Sequence, residues 1–542
     1  MGKKIGIDLG TTYSCMSFVD DMGVVRIIDN FEGEQTTPSV VYFDPAGSVT
    51  VGSAARSEGA ANPDGLCERV KNFMGNADYR FYANGSEYSA AAVSTLILRK
   101  LIHDAEEYIE DDIDGAVVTC PAYFGEEAKN ATKVAAESVT LKNGQPLKVL
   151  KILDEPTAAA VSYGYSKQVD MEKTILIYDL GGGTFDCTIM TLSFNGDNRK
   201  MSVVTTGGDH QLGGKDWDAE LGALVRRKFC DQTGLDSYAM EQDSETKAWF
   251  SEHIEKAKKL LTAKEKTSLA PSFDGQKAKV EITREEFEEV TARLMDQTIL
   301  LVNDMLAAKG MDMSGIDEII LVGGSTKMPQ VTKRLEQEYG KPVSSYEPDK
   351  AVAMGAALLA KDVVLSDDTN SGGNGGGNGG DASALSIRNE ITGQTTVIEE
   401  NCTKSYGIKV YNLQGARVLN LIKKDMRKPA HGASVDHCPL TLTGDPAPMS
   451  EITIKVVEND VDADSVDPEF CDEIYIDEPI VFDGAVPGDR IVSVDMDIDG
   501  NSLLTLTLTD CVTGKQYKMM PKRKSDEANN VGLNEAATAT LN

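Results

Sequence analysis

Twice in this sequence a strand runs into Asp-Leu-Gly, turns on a threonine-bearing loop and leaves on a second strand of alternating character. The copies are IGIDLGTTYSCMSFV near the N-terminus and ILIYDLGGGTFDCTIM at Ile175 to Met190. Each reads as a β-hairpin, and two such hairpins imply two similar lobes facing one ligand. Glycines at the turns let the backbone approach that ligand closely, and successive exposed N–H groups there form an anion cradle suited to phosphate. Hydroxyls of Thr11, Thr12 and Thr184 add direct hydrogen bonds. The carboxylates of Asp8, Asp179 and Asp186 would repel a bare polyphosphate, but they become useful once Mg²⁺ with its waters lies between. Either hairpin alone is an ordinary Asp-Gly turn. The pair is far more specific, and a third element joins it: IILVGGSTKMP at Ile319 to Pro329 is a strand, a Gly-Gly turn and the start of a helix, which suits a nucleoside or phosphate.

Composition narrows the setting. The chain has 542 residues, too many for one core, so two domains are expected. A hydrophobic fraction of 41% and a charged fraction of 26% are those of a soluble globular protein. No stretch approaches the roughly 20 apolar residues of a spanning helix, so no membrane partner is expected. The start, MGKKIGIDLGTTYS, has neither an apolar signal core nor a cleavage site, which makes the cytoplasm the expected location. Nine cysteines are scattered without a CxxC, and Cys15, Cys120 and Cys187 lie in apolar strands, as reduced packing residues would. A formal charge of −32 repels nucleic-acid phosphates, so no nucleic-acid partner is expected.

The run DDTNSGGNGGGNGGD at Asp367 to Asp381 cannot bury apolar surface and reads as a flexible coil reaching roughly 20 Å. It divides an α/β part from a part built of short strand-like runs. Within the α/β part, Thr283 to Glu286 forms a capping box ahead of Phe287, Val290, Leu294, Leu301 and Met305 at helical spacing, and Gly310 suits a left-handed stop.

The three turn motifs occur in order with TCPAYFGEEAKNATKVAA at Thr119 to Ala136, ILDEPTAAAVSYGY at Ile152 to Tyr165 and GGDHQLGGKDWD at Gly207 to Asp218. In that order the chain resembles the heat-shock protein 70 (DnaK-type) chaperone family from Lys4 to about Val364. The resemblance implies an α/β actin-like, two-lobed ATPase domain over 1–365, a Gly/Asn-rich linker over 366–384, a β-sandwich substrate-binding-like domain over 385–521 and a polar tail over 522–542. It implies an ATP/ADP cleft with Mg²⁺, and K⁺ as a further ion. In that cleft Asp8, Gly10, Thr11, Thr12 and Tyr13 form the first phosphate loop, and Gly181, Gly182, Gly183 and Thr184 the second. Lys71 matches the family's catalytic lysine, which positions the attacking water. Glu155, Asp179 and Asp186 match acidic groups around the metal and that water, with Asp8 and Asp179 meeting Mg²⁺ through water and Thr184 near the γ-phosphate. Gly207 and Gly208 fall in the matching nucleotide-binding run. Glu255, Lys258, Lys259 and Thr262, with Gly324, Ser325, Lys327 and Asp349, resemble the adenosine contacts. At Lys259 and Lys327 the family usually carries Arg, whose planar guanidinium stacks on a base as Lys cannot.

Other departures bear on coupling. Lys129 stands for an Arg in a relay that includes Pro121, and Lys151 and Asp154 replace Arg and Asn on a surface used by J-domain co-chaperones. The segment between Lys71 and Ala116 is short, trimming a tip that nucleotide exchange factors grip. The glycine run stands where the family has a docking strand, leaving direct domain contact or a substitute such as Thr396 to Glu400 (TVIEE) to carry any signal. The runs SYGIKVYN, VLNLIKKDMRKP, EITIKVVEND, IVFDGAVPGDR and DIDGNSLLTLTLTDCVTGKQYK follow the order of the family's β-sandwich, which holds extended polypeptide in a groove. After Tyr517 only a polar tail is expected, with no helical lid. Three functions remain in view: an ATP-dependent chaperone for unfolded or extended polypeptides, an ATPase switch whose β-domain serves one dedicated partner, and a small-molecule kinase on the same fold.

Overall fold

The two Asp-Leu-Gly hairpins form the centres of two sheets. In the computed structural model, which describes residues 2–541 except 60–61, 167–170, 197, 346, 363–384, 389–394, 413–414, 441–446 and 500–503, the strands Lys3–Asp8 and Tyr13–Val19 pair antiparallel, with Asp8 opposite Cys15. Met171–Leu180 and Phe185–Asn195 do the same, with Asp179 opposite Asp186. The first sheet runs Val149–Asp154, Ile113–Cys120, Lys3–Asp8, Tyr13–Val19, Val25–Ile28. Its strands are apolar on both faces because helices cover both, as mixed and parallel sheets require. The helix Ala90–Ile109 packs on one side, burying Leu96, Ile97, Leu98 and Leu101 with Ile5, Ile7 and Val118.

Between the lobes lie two alanine-rich helices, Glu155–Ser166 and Ala351–Asp362. Their small side chains permit an approach that nothing bulkier allows: a Cβ on Gly355 would lie 1.7 Å from the Ala158 carbonyl oxygen. Val352, Ala356 and Leu359 share a core with Ile177 and Val322 of the second sheet, while the Ser17 hydroxyl of the first sheet donates to the Ala353 carbonyl at 2.8 Å. The lobes are thus hinged on a common layer and open towards the hairpin turns. The capping box is present: Thr283 precedes the helix Arg284–Ala308, its hydroxyl accepts from the Glu286 N–H at 3.2 Å, and the Glu286 carboxylate accepts from the Thr283 N–H at 2.9 Å.

The second sheet is longer than the hairpin pattern anticipates. Its order is Val343–Ser345, Glu318–Val322, Met171–Leu180, Phe185–Asn195, Asn198–Asp209, Thr395–Glu399, Leu385–Arg388. Thr395–Glu399 runs parallel to Asn198–Asp209, with Lys200 opposite Val397, and Leu385–Arg388 pairs antiparallel on its outer side. The glycine run at Asp367 to Asp381 lies outside the described residues, and the strand Thr395–Glu399 that follows it includes most of the run TVIEE named as its substitute. Residues 385–388 and 395–399, expected with the β-domain, extend the sheet of the N-terminal body.

The C-terminal domain is a sandwich. A four-stranded sheet (Val456–Asn459, Ser405–Asn412, Gly415–Ile422, Ser465–Val466) faces a five-stranded one centred on Ile491–Ile498 and Leu504–Asp510. Tyr406, Ile408 and Ile422 meet Val494, Met496, Leu506 and Leu508 in its core. The sandwich rests against the N-terminal body through charge. Lys428 pairs with Glu126 at 3.4 Å and Lys309 with Asp425 at 2.6 Å across the interface, Lys151 meets Glu400 at 3.4 Å at the junction, and Lys129 pairs with Asp154 at 2.7 Å inside the lobe beside them. The Asn401 amide donates to the Val203 carbonyl at 3.0 Å, and the Thr403 hydroxyl to that of Phe124 at 3.2 Å. Lys129, Lys151 and Asp154, departures from the family pattern, form this compensated network with Glu400 just beyond the docked strand.

The polar tail also departs from expectation. Residues 523–541 form the short helices Ser525–Ala528 and Leu533–Thr538 and pack onto the first lobe, where Ala536 is fully buried.

Candidate nucleotide site in the interlobe cleft

The hinged lobes leave a cleft of about 900 Å³ at the hairpin turns, the upper end of the usual size for a ligand site. Its walls include Asp8, Gly10, Thr11, Thr12, Tyr13, Lys71, Glu155, Asp179, Gly181, Gly182 and Thr184 from the phosphate side. Glu255, Lys258, Lys259, Thr262, Gly324, Ser325, Lys327 and Asp349 line the other side.

The two turns face each other at glycine-only spacing. A Cβ on Gly10 would meet the Tyr13 carbonyl oxygen at 1.9 Å, and one on Gly182 the Thr12 hydroxyl at 2.1 Å. The second turn is held by Gly181 N–H to the Thr184 carbonyl at 3.0 Å, by the Ser325 hydroxyl to the Gly181 carbonyl at 2.9 Å, and by the N–H groups of Gly214 and Lys215 to Gly181 and Gly182 at 3.0 and 2.9 Å. The Ser39 hydroxyl donates to the Gly10 carbonyl at 2.7 Å. The Thr12 hydroxyl is buried with no hydrogen-bond partner among the described residues, and a buried polar group in that state demands one. A phosphate oxygen in the cleft would satisfy it.

Below the turns, buried carboxylates crowd round one cation. Lys71, in the short helix Val70–Phe73, is 4% exposed and lies 2.5 Å from Glu155 Oε1, with Phe124 5.9 Å beneath it. Burial alone would lower the Lys71 pKa, but Glu155 and Asp8 hold it above its ordinary value. Burial pushes the Asp8 carboxyl up to about 7, Glu155 adds repulsion, and Lys71 and the Thr119 hydroxyl, 3.2 Å away, pull the other way. Asp179 and Asp186 are pushed well above the carboxylate range, by burial first and then by Glu155. Four carboxyls against one ammonium is an excess of negative charge that a divalent cation relieves. Among the described residues no three His, Cys, Asp or Glu side chains cluster as metal ligands.

Across the cleft, the helix Ser244–Ala263 presents Glu255, Lys258, Lys259 and Thr262 at helical spacing along one face. The Tyr13 hydroxyl is a hub: it donates to Glu255 at 2.8 Å and accepts from Lys259 and Arg56, each at 3.1 Å, while the Lys259 ammonium lies 4.6 Å over its ring. Lys258 reaches back instead, to Asp218 at 2.8 Å and the Gly214 carbonyl at 2.9 Å. Thr262 donates to its own helix at Lys258. Lys327 pairs with Asp349 at 2.7 Å beside the turn Gly324–Lys327.

Four expected residues stand off the wall. Gly207 and Gly208 lie within a strand, opposite Cys187 and Asp186. Gly183 abuts Thr11 and Gly213, and Asp186 lies behind Thr184. Sequence reasoning missed Arg56, Ser39, Asp218 and Gly214. The run GGKDWD held the signal for the last two, where a glycine pair opens a helix; an isolated Arg in SAARSEG and a Ser before a valine pair carry none.

Residues 4–372 match the family model described as Hsp70 protein. Two curated relatives, the Chaperone protein DnaK of Thermotoga petrophila and that of Thermotoga sp. (strain RQ2), are each 38% identical over 384 residues, 67% of this chain and 62% of their own length. The match therefore spans less than two thirds of those relatives.

Proposed function

Because the chain belongs to the Hsp70 protein family, whose ATPase domain has the actin-like fold, we propose that it is an ATP-dependent molecular chaperone that hydrolyses ATP to ADP and phosphate. The carrying observation is Lys71 held by Glu155 beside Asp8 and Asp179 in the cleft beneath two facing glycine turns, with Asp186 behind them. In this reading Mg²⁺ supplies charge neutralisation to the phosphates when bound. Backbone N–H groups of Gly10 to Tyr13 and Gly181 to Thr184 cradle the phosphate oxygens. Lys71, held by Glu155, orients a water for in-line attack on the γ-phosphate, so that positioning and electrostatics carry the catalysis. Tyr13, Glu255, Lys259 and Lys327 clasp the adenosine.

The sandwich would bind unfolded or extended polypeptide, and J-domain and exchange-factor partners would act on the N-terminal body in the cytoplasm; the scattered cysteines, none in a disulfide among the described residues, fit a reducing compartment. Support for communication between the domains comes from the docked strand Thr395–Glu399 and the ion pairs beside it. Those same contacts favour a second reading, an ATPase switch serving one dedicated partner.

Steady-state ATP hydrolysis by wild type and Lys71→Ala, each with and without a generic apolar peptide, tests both. A slow wild-type rate that the peptide raises and the variant abolishes is expected of the chaperone. Hydrolysis that needs Lys71 but ignores peptide moves the assignment to the switch, and hydrolysis indifferent to Lys71 overturns both.

A further inference from the structure

The segment after the last sandwich strand belongs to two domains at once. Its first residues complete the sandwich: the Ile476 N–H donates to the Lys522 carbonyl at 2.7 Å, the Lys524 N–H to that of Ile474 at 2.8 Å, and Arg523 bridges Tyr475. Within a few residues the chain has crossed over. Asp526 accepts from the Asn130 amide at 2.9 Å, on the helix Glu126–Glu137 of the first lobe. Ser89 then donates twice, its hydroxyl to the Asn529 carbonyl at 2.8 Å and its N–H to that of Val531 at 3.0 Å.

From there on the segment is part of the lobe. Gly532 turns at φ 71°, pressed so closely on the Ser86–Tyr88 strand that a Cβ would meet the Glu87 carbonyl oxygen at 2.3 Å. Leu533, Ala536, Ala539 and Leu541 join the lobe's apolar core, and Ala536 is fully buried. The Arg99 guanidinium donates to the Ala536 carbonyl at 2.6 Å, the Val49 N–H to that of Thr540 at 3.0 Å, and Leu541 bridges Val49 in parallel. The lobe face that receives it is centred on the helix Ala90–Ile109, with Val49 and Asn130 at its margins.

We infer that residues 522–541 are an intramolecular strap that ties the sandwich to the first lobe. The sandwich is thereby held at both ends of its chain, by Thr395–Glu399 on the second lobe and by the strap on the first. Separation of the domains requires the strap to peel or the strand to unpair, so this chain's own residues 522–541 set how readily the domains part. A tether of this kind acts by raising the effective concentration of one surface at the other.

Amide hydrogen exchange and small-angle X-ray scattering on the full chain test this without reference to hydrolysis. Ala536→Glu places a charge in the lobe core and should free residues 525–541. The strap predicts that interface amides at 401–404 and 456–459 then exchange about tenfold faster and that the radius of gyration rises. A freed segment with unchanged interface protection and radius overturns it. If Ala536→Glu shows no cooperative melt, Gly532→Ala, which strains the left-handed turn and crowds Glu87 and Tyr88 where the segment is seated, decides by the same criteria. Adding the synthetic peptide 522–541 to the freed variant should restore protection to 87–99 but not to the interface. Restoration of both would mean that the segment shapes the lobe rather than tethers, and would equally overturn the proposal.

Discussion

Lys71 is the residue on which the site's electrostatics turn, since its ammonium pairs with Glu155 and opposes the repulsion on Asp8. Lys71→Ala should lower kcat by roughly a hundredfold or more, the usual cost of losing a positioned charge in such a site. Nucleotide affinity, measured by fluorescent-nucleotide titration, should change far less, because the glycine cradles and the Tyr13 hub are untouched. At the mouth of the cleft, Lys259 stacks over Tyr13 as a point charge. Lys259→Arg gives the planar group that spreads over a base, worth about 1 kcal/mol, so ADP should bind about fivefold tighter by calorimetry. Tyr13 was legible from its turn motif, and Lys71 and Lys259 through the family resemblance of the runs ERVKNFMG and EKAKKLLT. Arg56 was not: it reaches Tyr13 and Glu255 only because the helix Ser53–Gly59 is folded over the cleft, and nothing local marks it.

Between elements, the interface carries a pH dependence. Glu458, in the sandwich strand Val456–Asn459, faces the start of the helix Glu126–Glu137. Burial pushes its carboxyl up to about 8; Glu126, Glu127 and Asp472 add to this and Lys404 opposes it. The docked form therefore keeps a proton that the separated or unfolded form releases above about 4.5. Its stabilisation is full below that value and is lost as pH rises through about 8, by at most about 1.4 kcal/mol per pH unit. Melting temperature should fall over that window in wild type, and Glu458→Gln should flatten the slope. The docked strand offers a second test. Val397→Pro removes a ladder donor from a strand paired on both sides, a change costing about 3 kcal/mol, and should loosen the sandwich as read by interface hydrogen exchange. That strand was only half visible in the sequence. TVIEE has the right composition, but its pairing with residues 198–202 is set by tertiary contact, and the outer strand Leu385–Arg388 had no signature beyond alternation.

On the scale of the whole molecule, 86 acidic residues against 54 basic ones make compaction work against self-repulsion. Raising ionic strength from about 0.02 to about 0.3 M shortens the Debye length several-fold and should raise the melting temperature, whereas a fold governed by its ion pairs would lose stability. The two lobes were readable from the paired hairpins, and the sandwich from short strand-like runs that follow the order of the family it resembles. Their mutual arrangement was not, since it rests on Lys428, Glu126, Lys309, Asp425 and the run EAATATL, residues whose polarity reads as solvated surface until a partner covers them. The strap also orders events in time. Arg99 and Ala536 touch across 437 positions of chain. During synthesis the first lobe emerges early, yet its apolar face waits, uncovered, for a segment translated long afterwards. Vectorial folding from the N-terminus therefore yields a waiting intermediate rather than a finished lobe, and the newborn chain is itself a client for chaperones until its late residues return to close the part that was made first.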